Sequence, residues 1–301
     1  MEPERGPGVY GLMRSTLALL TVALALFACT AAPGATPGPS PSAVSTSHTT
    51  AEPSPSPTPE PMAPTAVVKI EQVGGMLPPW ETLKFYPSVV LYSDGRLIMQ
   101  GPQMDLYPGP ALPNLQVTHL TQQGIDQILV WAAEAGLQGP DRMLGEQIMD
   151  AGVTVFAITT PAGIHRTTVT SMGSDGAEIR ALNQFQDILS TVRQWLGDDV
   201  LGDDEPYAFD RLRIVTVPAD PQVDPMATIV AWPLDAPLAT IGQPVSEGVD
   251  YRCAEISGDD LEQMLPLFEQ SNQLTIWRSD AELYQLYLRP LLPDDEACPG
   301  I

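Results

Sequence analysis

Positive charge is what this chain has least of. Against 37 acidic residues stand 14 Lys and Arg, and only Lys69 and Lys84 are lysines. The formal net charge is −23. Such a surface repels phosphate backbones and anionic head groups alike, so nucleic acid is excluded as a partner and any membrane attachment must come from an anchor. Histidine is also scarce: His48, His119 and His165 are the whole complement. No His-Glu-x-x-His or paired Cys-x-x-Cys spacing occurs, which leaves no basis for a metal site. No Gly-x-Ser-x-Gly elbow exists, and Gly173 and Gly176 are too few for a phosphate cradle, so neither a serine nucleophile nor a nucleotide cofactor is expected. Long apolar runs are missing too. The longest, Leu17 to Phe27, falls well short of the roughly 20 residues that a spanning helix needs.

That short run has the length of a signal-peptide core, with Arg14 as its positive flank. Glu2-Pro3-Glu4-Arg5 is an unusual prefix for an export signal, and a start at Met13 would give the compact flank Met13-Arg14-Ser15. The run ends in Leu26-Phe27-Ala28-Cys29, which resembles the lipobox of bacterial lipoproteins, where a small residue precedes a cysteine that is lipidated and becomes residue one. Phe27 departs from the pattern, since that position is usually small. The alternative is an ordinary signal peptide cut near Ala31-Ala32. On the lipobox reading residues 1–28 are the signal and Cys29 carries the lipid.

With Cys29 assigned to the anchor, Cys253 and Cys298 remain as an even pair in an exported chain, where a disulfide is favoured. Two separate buried thiols are the alternative. From residue 29 to 64 the sequence is almost wholly Pro, Ser, Thr, Ala and Gly and cannot bury a core; it reads as a disordered tether reaching on the order of 100 Å.

The remainder reads as α+β, two small units of antiparallel strands and hairpins with one or two packed helices each. In the first, 65–197, Ala66 to Glu71 alternates as a half-buried strand, and Ser93-Asp94-Gly95 between apolar runs is a hairpin signal. Gly101 to Asn114 is a proline-broken loop. Leu115 to Leu120 reads as a strand with Leu115, Val117 and His119 on one face, and Thr121 to Gly136 as a capped helix. A second hairpin spans Val153 to Val169. Asp175 and Glu178 suggest a capping box for a long helix continuing to Leu196. The acidic stretch 198–210 reads as a linker. In the second unit, 211–301, strands are expected at Arg211 to Val217, Thr228 to Trp232 and Arg252 to Ile256. A helix from Ser257 should be kinked or shortened by Pro266, and a last hairpin covers Gln273 to Leu288.

Of residues with chemistry, His119 and His165 read as packing or hydrogen-bonded positions. The acidic cluster lacks a calcium-loop ligand order. Trp80, Tyr86 and Tyr107, set among prolines, are the candidate lining of a ligand groove. No catalytic residue is assigned. Several stretches together resemble a group of uncharacterised bacterial lipoproteins: Pro87 to Arg96, Tyr107-Pro108-Gly109-Pro110, Asn272 to Arg278, and Arg289 to Asp294 before Cys298. The resemblance implies an envelope address and no particular activity.

The expected protein is a lipid-anchored module of the cell membrane, facing the extracytoplasmic side and binding a protein, peptide or cell-wall ligand without catalysing a reaction. A carboxylate-based envelope hydrolase and a structural envelope-maintenance protein are the alternatives. Replacing Cys29 by serine should release the protein from membranes or leave its signal uncut; acyl labelling and membrane fractionation read the outcome.

Overall fold

In a computed structural model the described residues are 64–299 apart from 78, 104, 147, 150, 174 and 220–223. The signal, Cys29 and the tether lie outside them. The fold is α+β, built on two open mixed sheets. The first contains β1 (Ala66–Gly74), β2 (Val89–Tyr92), β3 (Arg96–Gln100), β4 (Leu115–Leu120), β5 (Arg142–Leu144), β6 (Gly152–Thr160), β7 (Gly163–Val169) and β8 (Val200–Pro206), in the order β5-β7-β6-β1-β2-β3-β4-β8. The second contains β9 (Arg211–Pro218), β10 (Ile229–Ala231), β11 (Gln243–Pro244), β12 (Arg252–Ser257), β13 (Ile276–Ser279) and β14 (Glu282–Pro290), ordered β10-β13-β14-β9-β12-β11. Neighbours pair antiparallel except β5 with β7 and β10 with β13. The helices are α1 (Pro79–Thr82), α2 (Gln122–Glu134), α3 (Ala177–Ser190), α4 (Val192–Leu196) and α5 (Gly258–Gln270).

Period-two alternation places each sheet between two environments. On β2, Val89 and Leu91 join a core with Ile128 of α2 and Leu182 and Phe185 of α3, whereas Val90 and Tyr92 face Leu292 of the C-terminal segment. On β9, Leu212 and Ile214 pack with Leu261, Met264 and Phe268 of α5, whereas Val215 packs with Leu83 and Cys253. Each sheet thus carries helices on one face. The opposite faces are covered by the segment 75–88, which includes the single turn of α1, and by the strap 289–299, which continues from the end of β14.

The strap is fastened by polar groups. Cys253 and Cys298 form a disulfide. Arg213, 2% exposed, donates through Nη1 to Leu83 O at 2.9 Å, through Nη2 to Glu296 O at 2.6 Å and through Nε to Ala297 O. Tyr207 Oη donates to Leu291 O at 2.9 Å, and Tyr92 Oη donates to Asp294. Desolvating a guanidinium costs several kcal/mol, which is offset only where its donors are met; those of Arg213 are met by three carbonyls.

Local rules account for most elements. Gly95 closes the β2–β3 hairpin at φ 92°, and a Cβ there would lie 2.4 Å from Leu120 O, so no other residue fits. Thr121 caps α2 by accepting from Gly124 N at 3.1 Å, and Gly136, at φ 75°, ends it.

Elsewhere the structure corrects the expectation. The acidic stretch 198–210 is not bare linker: Val200–Pro206 is the edge strand β8. An edge tolerates charge because one flank of the backbone stays in water, and here Arg193 of α4 reaches back to Asp204 at 2.6 Å and to Gly202 O at 2.7 Å. His119 does not share the buried face of Leu115 and Val117. A pairing irregularity between Val117 and His119 turns it outward, where Nε2 meets Glu205 Oε1 at 2.9 Å. The capping box does not form, because α3 begins at Ala177 behind Gly176 and Glu178 is taken by Arg142. The long helix is divided at Thr191, which has left the helical backbone. Pro266 does not shorten α5, which continues to Gln270; Glu262 and Pro266 lie on the exposed side, where water can serve the carbonyl that the proline leaves unpaired.

Replacing Cys253 and Cys298 together by alanine should lower stability by about 4 kcal/mol on the chain-entropy estimate for their 45-residue separation, read as a shift in the urea unfolding midpoint. At β8, the Arg193 guanidinium and then the Thr118 hydroxyl hold the Asp204 carboxyl below its ordinary 3.8. A lowered folded pKa stabilises above the ordinary value and ceases to do so as pH falls through the lowered one. Wild type should therefore be more stable than Asp204→Asn at pH 7, with the gap closing as pH falls below 3.8; urea midpoints across pH measure it.

Candidate binding groove

Beyond β1 the chain does not turn directly into β2. Gly74 and Gly75, at φ 75° and 94°, swing it out of the sheet, and residues 76–88 return as a flap. Two points hold this flap down. Leu83 is buried against Val215 and Cys253 of the second sheet. At the far end Ser88 donates twice to Ile70 O, from its backbone N at 2.8 Å and from Oγ at 3.1 Å. Between and beside these points Met76 (79% exposed), Leu77 and Phe85 stay open to solvent together with Val73 at the end of β1.

The flap encloses one side of a groove of about 770 Å³. Its other side is the end of the first sheet, where β1 pairs with β6 at Gln72↔Thr154, Val73↔Val153 and Gly74↔Gly152, with Val169, Thr170 and Met172 beyond. This volume lies in the range of small-molecule clefts. Half of the lining is apolar: Val73, Met76, Leu77, Phe85, Tyr86, Val153, Val169 and Met172. The polar remainder is neutral, with Gln72, Ser88, Gln100, Thr154 and Thr170 as its side-chain hydrogen-bonding groups. Among the described residues no Asp, Glu, Lys, Arg or His lines it. Burial holds the Tyr86 hydroxyl above its ordinary pKa, so it too stays uncharged. By contrast, cavities beside Asp250 and Glu282 and beside Arg96 and Arg211 are charged.

Of the residues singled out in the sequence, Tyr86 lines the groove. Trp80 belongs to α1 within the same flap, but its side chain lies outside the described residues. Tyr107 is 69% exposed in the loop that touches the second sheet, where Gly109 meets Gln273 and Pro110 bridges to Asn272; it is not among the lining residues. His165 is held by Gly139 O at 2.8 Å and Thr160 at 3.0 Å. Val73, Met76 and Met172 carried no signal in the sequence, since each is an ordinary apolar residue until the strand ends converge.

A second cavity of about 510 Å³ adjoins the groove and shares Gln72, Val73, Gly74, Phe85 and Tyr86 with it. Its walls are charged. Asp294 accepts from Tyr92 and lies 3.6 Å from Lys69, and Asp295 accepts from Leu292 N at 2.8 Å and from Arg289 at 3.0 Å. Those carboxylates serve the strap. Among the described residues no cluster of three or more His, Cys, Asp or Glu has the arrangement of a metal site, and no helix is long and apolar enough to cross a membrane.

No protein-family model, curated protein or solved structure matches the chain.

Proposed function

We propose that the protein is a lipid-anchored extracytoplasmic binding module whose groove at the Gly74 end of β1 takes a largely apolar ligand. The observation that carries this reading is that, among the described residues, no charged side chain lines a 770 Å³ groove in a chain of net charge −23. With 37 acidic residues in the sequence, described walls without one favour a ligand body having no use for a charged partner. The exposed Met76, Leu77 and Phe85 support it, because clustered apolar side chains at a concave rim mark contact surfaces. The disulfide is in keeping with export.

The tether fits the same reading. It would enter at Ala66, and the groove begins at Gly74, nine residues along one strand and so roughly 25 Å away.

N-phenyl-1-naphthylamine, a neutral apolar dye, should brighten on titration with the protein. Val73→Asp, which sets a carboxylate in the groove at a position already part-exposed, should weaken that binding about tenfold or more while leaving the unfolding midpoint nearly unchanged. Equal dye binding by the two proteins would remove the groove as the site.

A further inference from the structure

The charged cavity beside the groove contains an unmet demand. Arg289 lies in its wall with a side chain 6% exposed, and only Nη2 is paired, to Asp295 at 3.0 Å. Arg289 Nε and Nη1 are buried without a partner. Unmet buried donors are costly, more so on a charged group. The other groups of the cavity do not answer them. Arg213, opposite Arg289 in the β9–β14 register, spends its donors on the carbonyls of Leu83, Glu296 and Ala297. Asp294 is engaged by Tyr92 and Lys69, and Glu71 lies 3.8 Å from Lys69. Glu296 also lines the cavity. The walls carry three cations, Lys69, Arg213 and Arg289, and four carboxylates, Glu71, Asp294, Asp295 and Glu296, and of these groups Arg289 alone has buried donors without a partner among the described residues. Burial first, and then the nearby Arg289, push Arg213 down to about 10.

The groove and this cavity meet along Val73, Gly74, Phe85 and Tyr86, and Val73 and Phe85 are exposed, so the boundary is an open ridge. We propose that the ligand is a single-chain amphiphile with a carboxylate head: its apolar body lies in the groove along Val73, Phe85 and Met172, and its head crosses the ridge to take charge-assisted hydrogen bonds from Arg289. This deepens the binding reading above and rests on it. The unmet donors select the occupant, since an apolar body without a head leaves them unmet and a cationic head brings no acceptor to them.

Calorimetric titration of the full chain carrying Cys29→Ser, which has no acyl group of its own to fill the groove, with dodecanoate and dodecyltrimethylammonium below their micelle concentrations and dodecanol below its solubility limit tests it. Dodecanoate should bind about tenfold or more tighter than dodecanol, and Arg289→Met should bring it to the dodecanol level while dodecanol is unaffected. That order would run against the net charge of −23, which favours the cation. Dodecanoate binding no tighter than dodecanol, tightest binding of the cation, or a preference that survives Arg289→Met would each overturn the head-group assignment and leave the groove standing. Failure of all three probes to bind would take the groove reading with it. Should Arg289→Met not fold, the comparison of the three probes on the Cys29→Ser chain decides.

Discussion

The guanidinium of Arg213 is the point on which the architecture turns. It projects from a central strand of the second sheet, on the face away from α5, and its three hydrogen bonds end on carbonyls that lie outside any helix or strand. Leu83 O belongs to the flap of the first sheet; Glu296 O and Ala297 O belong to the strap. A buried charge is a poor source of net stability but a strong source of uniqueness, because any arrangement that fails to supply its acceptors is penalised by several kcal/mol. Arg213 therefore specifies where both segments must lie. The disulfide fixes the end of the same strap by a covalent route, and the two act on neighbouring residues, Ala297 and Cys298.

From that constraint the groove follows. A flap rich in Met, Leu and Phe would ordinarily collapse onto the nearest apolar surface. Here Leu83 has already taken the available site against Val215 and Cys253, and Ser88 ties the flap to Ile70 before β2 begins. The flap is held at two points and has no further surface to cover, so Met76, Leu77 and Phe85 remain exposed around a concavity. The same packing that buries one leucine leaves the rim apolar.

Local signals in the sequence were legible where a short-range rule decides the outcome. Asp94-Gly95 requires a tight turn, Thr121 requires an orphan amide to accept, and Cys253 with Cys298 required only an export context. The misreadings share a different origin. Val200–Pro206 has the composition of a linker, and only the free edge of β4 together with Arg193 makes it a strand. Asp175 and Glu178 have the spacing of a capping box, but the helix starts one residue later, behind Gly176, and Glu178 pairs with Arg142 instead. The groove was half visible, through Tyr86, because its lining comes from segments as distant as 72–77 and 169–172. Aromatic residues among prolines draw attention in a sequence; valine and methionine at strand ends do not.

Charge distribution links the groove to its surroundings. At physiological ionic strength fields are screened beyond about 8 Å, so a ligand in the groove feels its own lining and the adjoining cavity far more than the acidic surface as a whole. Among the described residues the lining contributes no charge, and the cavity contributes a guanidinium pair with four carboxylates, of which Asp295 is shared with the strap backbone through Leu292 N. On the head-group proposal an anionic head is discouraged on approach and held on arrival by the unmet donors of Arg289. Such a site filters by chain as well as by charge: a small anion gains nothing from Val73, Phe85 and Met172 to offset the approach, whereas an amphiphile recovers about 25 cal/mol for each Å² of apolar surface it buries there. Specificity of that kind would need no catalytic group, and the proposed recognition falls at the meeting of the flap and the strap that Arg213 holds together.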